Sequence, residues 1–276
     1  MVAPVLTKPR KVSLDKLATE PPDAFDRDAA KQKLKELEDE LGILQELMWG
    51  AREHSALIIL QGRDTSGKDG TIKRVAGAFN PRGVNVVSFG VPTTEEAEHD
   101  FLWRVHRHAP RKGEIAIFNR SHYEDVLVAR VHELVPKPLW KARYRHINDF
   151  EALLAEHGCI VVKIFLNISK REQRERLLER ETEPTKAWKL DPTDWKERKL
   201  WPEYTGAYED VFARCATPTA PWHIVPADSK TYRNLIVAEA IANALRPHQQ
   251  GWVRALAAKG RLGKRALEDL DAKLRK

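Results

Sequence analysis

The 276-residue sequence predicts an α/β fold, a three-layer α/β/α sandwich with a parallel sheet of about five strands and a helical lid. Three observations carry that expectation. Short apolar runs alternate with longer stretches of helical spacing, one run stops abruptly at a glycine loop, and a charge-dense insert interrupts the alternation late in the chain.

Residues 1–25, with Pro4, Pro9, Pro21 and Pro22, read as an extended N-terminal arm. Asp26 to His54 reads as a long helix, because Leu34, Leu37, Leu41, Leu44, Leu47 and Met48 fall near a 3.6-residue period. Ala56 to Leu60 is a buried strand, and helical spacing follows the glycine loop through Phe79. Asn80-Pro81-Arg82-Gly83 is a turn, and Val84 to Phe89 a second buried strand. Thr93 or Thr94 then caps a helix that has Glu95 to Glu98 in its first turn and runs to His108. Ile115 to Phe118 is the third strand, Pro138 to His157 an amphipathic helix and Cys159 to Leu166 the fourth strand. A long helix is expected from Asp194 to Arg214. Trp222 to Pro226 is the fifth strand, with a helix after it to Leu245. The expected division is an arm at 1–25, a main domain at 26–250 with its lid at about 170–199, and a basic helical tail at 251–276, solvated or in contact with another subunit.

The first strand ends at Gly62-Arg63-Asp64-Thr65-Ser66-Gly67-Lys68, which fits the G-x-x-x-x-G-K frame of a P-loop. Backbone N–H groups of such a loop ring a phosphate, the lysine neutralises its charge, and the following helix start adds partial positive charge. The residue after Lys68 is Asp69, where a Ser or Thr hydroxyl usually holds Mg²⁺. Asp64, inside the loop, is the substitute, since a hard dication takes carboxylate oxygens. Asn119 to Asp125, at the carboxyl end of the third strand, fall on the same sheet edge and form the second half of the expected site. Asn119 stands where many P-loop enzymes have a metal-holding aspartate, which leaves Glu124 or Asp125 to share the metal with Asp64. The bland reading of those two is a solvated first helical turn.

Residues 170–199 hold ten Lys or Arg and eight Asp or Glu. They read either as a solvated helix laced with i,i+4 pairs or as a lid that brings Arg176, Arg180, Lys186 and Lys189 over a transferring phosphoryl group. The net charge of +7 and pI near 9.3 call for a polyanionic partner. The cations form no aromatic-interleaved stripe, which argues against nucleic acid. No apolar run reaches membrane-spanning length and the start lacks a signal-peptide core, so a cytoplasmic chain that avoids membranes is expected. Cys159 and Cys215 form no disulfide or metal pattern and read as small buried residues.

The element order is that of a P-loop kinase, and five phrases make the likeness narrower. Gly62-Arg63-Asp64-Thr65 through Lys68, Asn80-Pro81-Arg82, Asn119-Arg120-Ser121, Pro184 with Lys186, Trp188, Lys189 and Asp194, and Pro221-Trp222 through Asp228 resemble polyphosphate kinase family 2. The run Phe118 to Asp125 looks like its class III branch. The resemblance implies Mg²⁺-dependent (or Mn²⁺-dependent), reversible transfer of the terminal phosphoryl group of inorganic polyphosphate to AMP and ADP, giving ADP and ATP, by a homo-oligomer. By position it puts Asp64, Lys68 and Arg120 at the phosphate and metal centre, Arg176 and Arg180 in the lid, and Asn80 and Arg82 among the phosphate or nucleotide contacts. The alternatives are a nucleoside monophosphate kinase using ATP as donor and, further off, a nucleic-acid-binding P-loop ATPase.

Overall fold

A computed structural model describes residues 3–183, 185, 188 and 191–274. In chain order the elements are β1 (Val5–Leu6), α1 (Arg27–Ala51), β2 (Ser55–Gly62), α2 (Lys68–Ala76), β3 (Val84–Ser88), α3 (Thr94–Glu98), α4 (Trp103–His106), β4 (Ile115–Asn119) and α5 (Val128–Val131). There follow α6 (Lys137–Glu156), β5 (Cys159–Asn167), α7 (Lys170–Thr182), α8 (Pro192–Lys199), α9 (Trp201–Cys215), β6 (Trp222–Pro226), α10 (Lys230–Leu245) and α11 (Gln249–Leu274).

The sheet order is β1-β6-β5-β2-β4-β3, with all neighbours parallel except β1 on β6. The five expected strands are all present. Side-chain alternation along them sorts residues between two helical layers. Ala56, Ile58, Leu60, Val162 and Ile164 meet Leu37, Leu41, Leu44 and Met48 of α1 and Val237 and Ile241 of α10. Leu57, Ile59, Val161 and Phe165 meet Ile147 and Phe150 of α6 and Tyr208, Val211 and Phe212 of α9. Both cysteines are free and buried in this second layer.

The sixth strand comes from the arm. Val5 and Leu6 register with His223 and Trp222, and the carbonyl of Pro4 accepts from Ile224 N at 2.9 Å. The arm continues across the body, with Leu14 in the core and Leu14 N donating to Glu209 at 2.8 Å.

Four local expectations change. β3 is not buried: it pairs only with β4, so it is the far edge of the sheet and Val86 stays exposed. The helix expected from residue 93 breaks after Glu98, because Asp100 starts a new turn by accepting from Leu102 N through its side chain and from Trp103 N through its carbonyl. The helix expected over 194–214 is two, since Pro202 has no N–H to carry α8 into α9. The tail is rooted in the body: α11 begins at Gln249, and Trp252 is wholly buried, donating to His54 Nδ1 at 3.1 Å. The division expected at residue 250 thus falls inside one helix. No helix among the described residues is long and apolar enough to cross a membrane.

Candidate active site

The loop between β2 and α2 wraps around its own lysine. Lys68, the first residue of α2, is buried and its Nζ donates to the carbonyls of Gly62 at 2.7 Å and Arg63 at 3.2 Å. Burial lowers the Lys68 pKa, and the Asp64 carboxylate works against that shift. Gly67 caps α2 with φ +99, a left-handed conformation, and a Cβ there would lie 2.0 Å from Nη1 of Arg233. Thr65 Oγ1 and Ser66 Oγ are buried with no partner. Buried hydroxyls at a helix start with nothing to bond are the groups an incoming anion would satisfy.

Two chambers flank this loop. One, about 610 Å³, takes in the P-loop and is lined by Lys68, Arg176, Arg180, Lys230 and Arg233, with Asp69, Glu179, Asp191, Asp194 and Asn119 among them. The other, about 330 Å³, is lined by Trp201, Tyr204, Tyr208, Arg63, Glu124 and His132. Asp191 and Asp194 of the α8 entry line both, and so do Asp64 and Arg120. Asp64 and Arg120 form the wall between the two, with Arg120 Nη2 3.0 Å from Asp64 Oδ1. Arg120 holds φ +62, also left-handed, and its backbone N donates to Leu60 O at 3.0 Å. Burial would lower the Arg120 pKa, but Glu124 and Asp64 outweigh it and raise the value.

Of the expected phosphate and metal residues, Gly62, Asp64, Thr65, Ser66, Gly67, Lys68, Asp69, Asn119 and Arg120 come together here. Asn119 Nδ2 donates to Asp69 Oδ1 at 3.0 Å and leaves its own Oδ1 buried and unbonded. Glu124 faces the aromatic chamber, where burial raises its pKa against the pull of Arg120 and Lys68.

Other expected residues have placements that the sequence did not foretell. Asp125 is held away from the wall by Arg143 at 3.0 Å and Arg104 at 3.8 Å. Arg63 turns to the aromatic chamber, its guanidinium 3.9 Å from the Trp201 ring and bonded to Thr205 at 2.6 Å, with burial lowering its pKa to about 10. Arg176 spends its donors on structure: Nη1 on Thr65 O at 2.9 Å, Nη2 on Ala227 O at 2.8 Å and Asp228 O at 2.7 Å, and Nε on Glu172 at 2.8 Å. It staples α7 to the P-loop and to the end of β6 while it lines the same chamber as Lys68. Arg180, one turn further out, reaches the chamber and pairs with Asp194 of α8. Asn80 and Arg82 precede β3, and parallel pairing sets Val84 beside Ile115 at the opposite sheet edge from Asn119. Five residues of strand separate them from the site by about 17 Å. There Asn80 is locked by Gln45, which accepts from its N at 2.7 Å and donates to its O at 2.9 Å. Pro184, Lys186 and Lys189 lie outside the described residues.

Two groups escaped the sequence reading. Arg233, on the first turn of α10, donates to Ser66 O at 3.3 Å, and burial lowers its pKa to about 10. The aromatic wall from α9 is the other. A basic first turn after Asp228 and the W-P-x-Y-x-x-x-Y spacing were the available signals. Among the described residues no three His, Cys, Asp or Glu side chains converge into a metal cage.

With this geometry the chain was compared with known proteins. The family model for polyphosphate kinase 2 matches residues 24–251. An AMP/ADP-polyphosphate phosphotransferase of Meiothermus ruber is 49% identical over 219 residues, which is 79% of this chain and 82% of that protein. A polyphosphate:AMP phosphotransferase of Pseudomonas aeruginosa is 38% identical over 222 residues, covering 80% of this chain and 44% of that one. The crystal structure of polyphosphate kinase 2 from Arthrobacter aurescens superposes with a TM-score of 0.84 at 37% identity, covering 90% of this chain and 92% of that one.

Proposed function

The chain belongs to the polyphosphate kinase 2 family, and from that premise we propose that it moves the terminal phosphoryl group of inorganic polyphosphate onto AMP and ADP. The observation that carries the reading is the shared wall: a chamber rich in lysine and arginine and a chamber walled by aromatic rings meet at Asp64 and Arg120. The cationic chamber suits a polyanionic thread, and the aromatic one suits a nucleoside with its phosphates turned inward. Phosphoryl transfer needs alignment and charge neutralisation more than covalent help. Arg120 sits where the transferring group passes, Lys68 and Arg233 hold the donor's charge behind it, and Arg63 crosses the acceptor side on Trp201. A nucleotide phosphate is ionised at neutral pH, so no general base is required.

The oxygen donors present fit Mg²⁺. Asp64, Asp69 and the unbonded Asn119 Oδ1 are hard ligands on the donor side, and Mg²⁺ ordinarily takes one or two carboxylates, keeping water and phosphate for the rest. Asp64 would hold it, with Glu124 on the acceptor side; bound there it would neutralise charge on the phosphate oxygens. We place the enzyme in the cytoplasm, where the basic balance meets polyanionic substrates, and the exposed outer half of α11 fits an assembly of several copies.

The test is a coupled assay with long-chain polyphosphate and Mg²⁺, offering AMP and ADP separately. Product from both acceptors is expected. No product from polyphosphate, with turnover of ATP plus AMP, would overturn the reading in favour of a nucleoside monophosphate kinase.

A further inference from the structure

Under the loop that carries Arg120 the core holds charge that packing does not require. Lys163, in the middle of β5, and Glu151, on α6, are 0% and 1% exposed. Lys163 Nζ donates to Glu151 Oε2 at 2.6 Å, to the Cys215 carbonyl at 2.6 Å and to Tyr123 Oη at 2.9 Å. Tyr123 Oη donates in turn to Glu151 Oε1 at 2.8 Å, and His122 Nε2 lies 3.2 Å from that same oxygen. All three ammonium protons and both carboxylate oxygens are matched. Taking such a pair out of water costs about as much as its attraction returns, and apolar residues of similar volume commonly serve stability as well. The pair's use therefore lies in what it orients.

What it orients is the segment beside the wall. His122 and Tyr123 follow Arg120 and Ser121 directly. Ser121 Oγ accepts from Gln61 Nε2 at 3.1 Å and from Tyr123 N at 3.2 Å, which ties the segment to the end of β2 just before the P-loop. Arg120 itself is a non-glycine residue at φ +62, a conformation that persists only where its surroundings over-determine it. We infer that Lys163 and Glu151 are positioning residues for phosphoryl transfer: by clamping His122 and Tyr123 from below they aim Arg120 across the wall at Asp64. Neither touches either chamber, so they act through Arg120. The inference rests on the wall being the place of transfer, whichever phosphoryl donor is used.

The test is a double-mutant cycle in the full-length protein. Glu151→Gln with Lys163→Met removes both charges together, so no lone charge is left in the core, and keeps an amide oxygen for Tyr123. This pair of changes should lower kcat at least tenfold, hold KM for both substrates within threefold, and leave Tm within a few degrees of the parent. In an Arg120→Lys background the same two changes should cost less than threefold. Tyr123→Phe, which removes one hydroxyl, covers the case in which the paired variant does not fold; it should lower kcat severalfold without moving KM, and again less in the Arg120→Lys background. Wild-type kcat in a folded variant, or an equal loss in both backgrounds, overturns the inference. The cycle is run with whichever donor the wild type uses, polyphosphate or ATP, so failure of polyphosphate as donor refutes the proposed substrate while the cycle stays readable.

Discussion

Gly67→Ala isolates the close approach of Arg233 to the P-loop. The new Cβ would be 2.0 Å from Arg233 Nη1 and 2.7 Å from its Cζ. Restoring ordinary contact moves the guanidinium by about 1.4 Å, the difference between 2.0 Å and a van der Waals approach of 3.4 Å. The left-handed backbone costs an alanine about 1–2 kcal/mol, and losing the charge-assisted bond to Ser66 O adds about 1.5–3 kcal/mol. Together these lower Tm on the order of 10 °C for a chain of this size. A misplacement of about 1 Å at a charge-neutralising group costs on the order of 100-fold in rate. The assay is polyphosphate-dependent ATP formation beside a thermal melt, each in wild-type and Arg233→Ala backgrounds. With the guanidinium gone, Gly67→Ala should cost only the backbone share. Equal costs in the two backgrounds would refute the argument that Arg233 occupies the space above Gly67 for the sake of the phosphate.

Three further outcomes are expected. Asp64→Asn should lower Mg²⁺-dependent turnover on the order of 100-fold, and Asn119→Asp far less; titration of both variants with Mg²⁺ separates metal binding from rate, and full activity in Asp64→Asn would remove it from the metal site. Arg176→Met strands three carbonyls that now accept from it, so urea unfolding should show a loss of about 2–4 kcal/mol; unchanged stability with lost kcat would refute the staple. Glu124 carries a raised pKa from burial, so the folded chain keeps this proton to higher pH than the unfolded chain does. Stability from this group is therefore present below the ordinary glutamate range and lost as pH rises through the folded value. Glu124→Gln should raise Tm at pH 8, with the advantage gone near pH 4; a variant less stable at pH 8 refutes the sign.

The sheet and the meeting of the P-loop with the end of β4 were legible because local chemistry announces them. Continuous apolar runs mark strands covered on both faces, and glycines at Gly62 and Gly67 mark backbone that no side chain could follow. What escaped depends on partners distant in the chain. β3 has the valines of a buried strand, with Asn85 and Ser88 the only local hint, and the strand order makes it an edge. Arg176 and Arg180 are equivalent by helical spacing and both line the chamber, yet only Arg176 is tied to the carbonyls of Thr65, Ala227 and Asp228, while Arg180 pairs with Asp194. Asn80 and Arg82 belong to a phrase that is characteristic as text, but a phrase ahead of a parallel strand lands on the sheet edge away from the ligand. Arg233 was hidden because α10 follows the P-loop by more than 150 residues while its first turn rests against it.

The pairing of β1 with β6 sets an order of assembly. The partner of Val5 and Leu6 is the final strand of the sheet, so during synthesis the arm has nowhere to dock until nearly the whole body has emerged. Closing so long a loop comes late, because its entropy is lost before any contact repays it. Until then Leu6 and Leu14 stay in water and the arm is open to proteases; afterwards both are buried. Resistance to cleavage ahead of Arg27 is therefore a signature of chains whose last strand has been made and seated, and a nick there singles out those in which it has not.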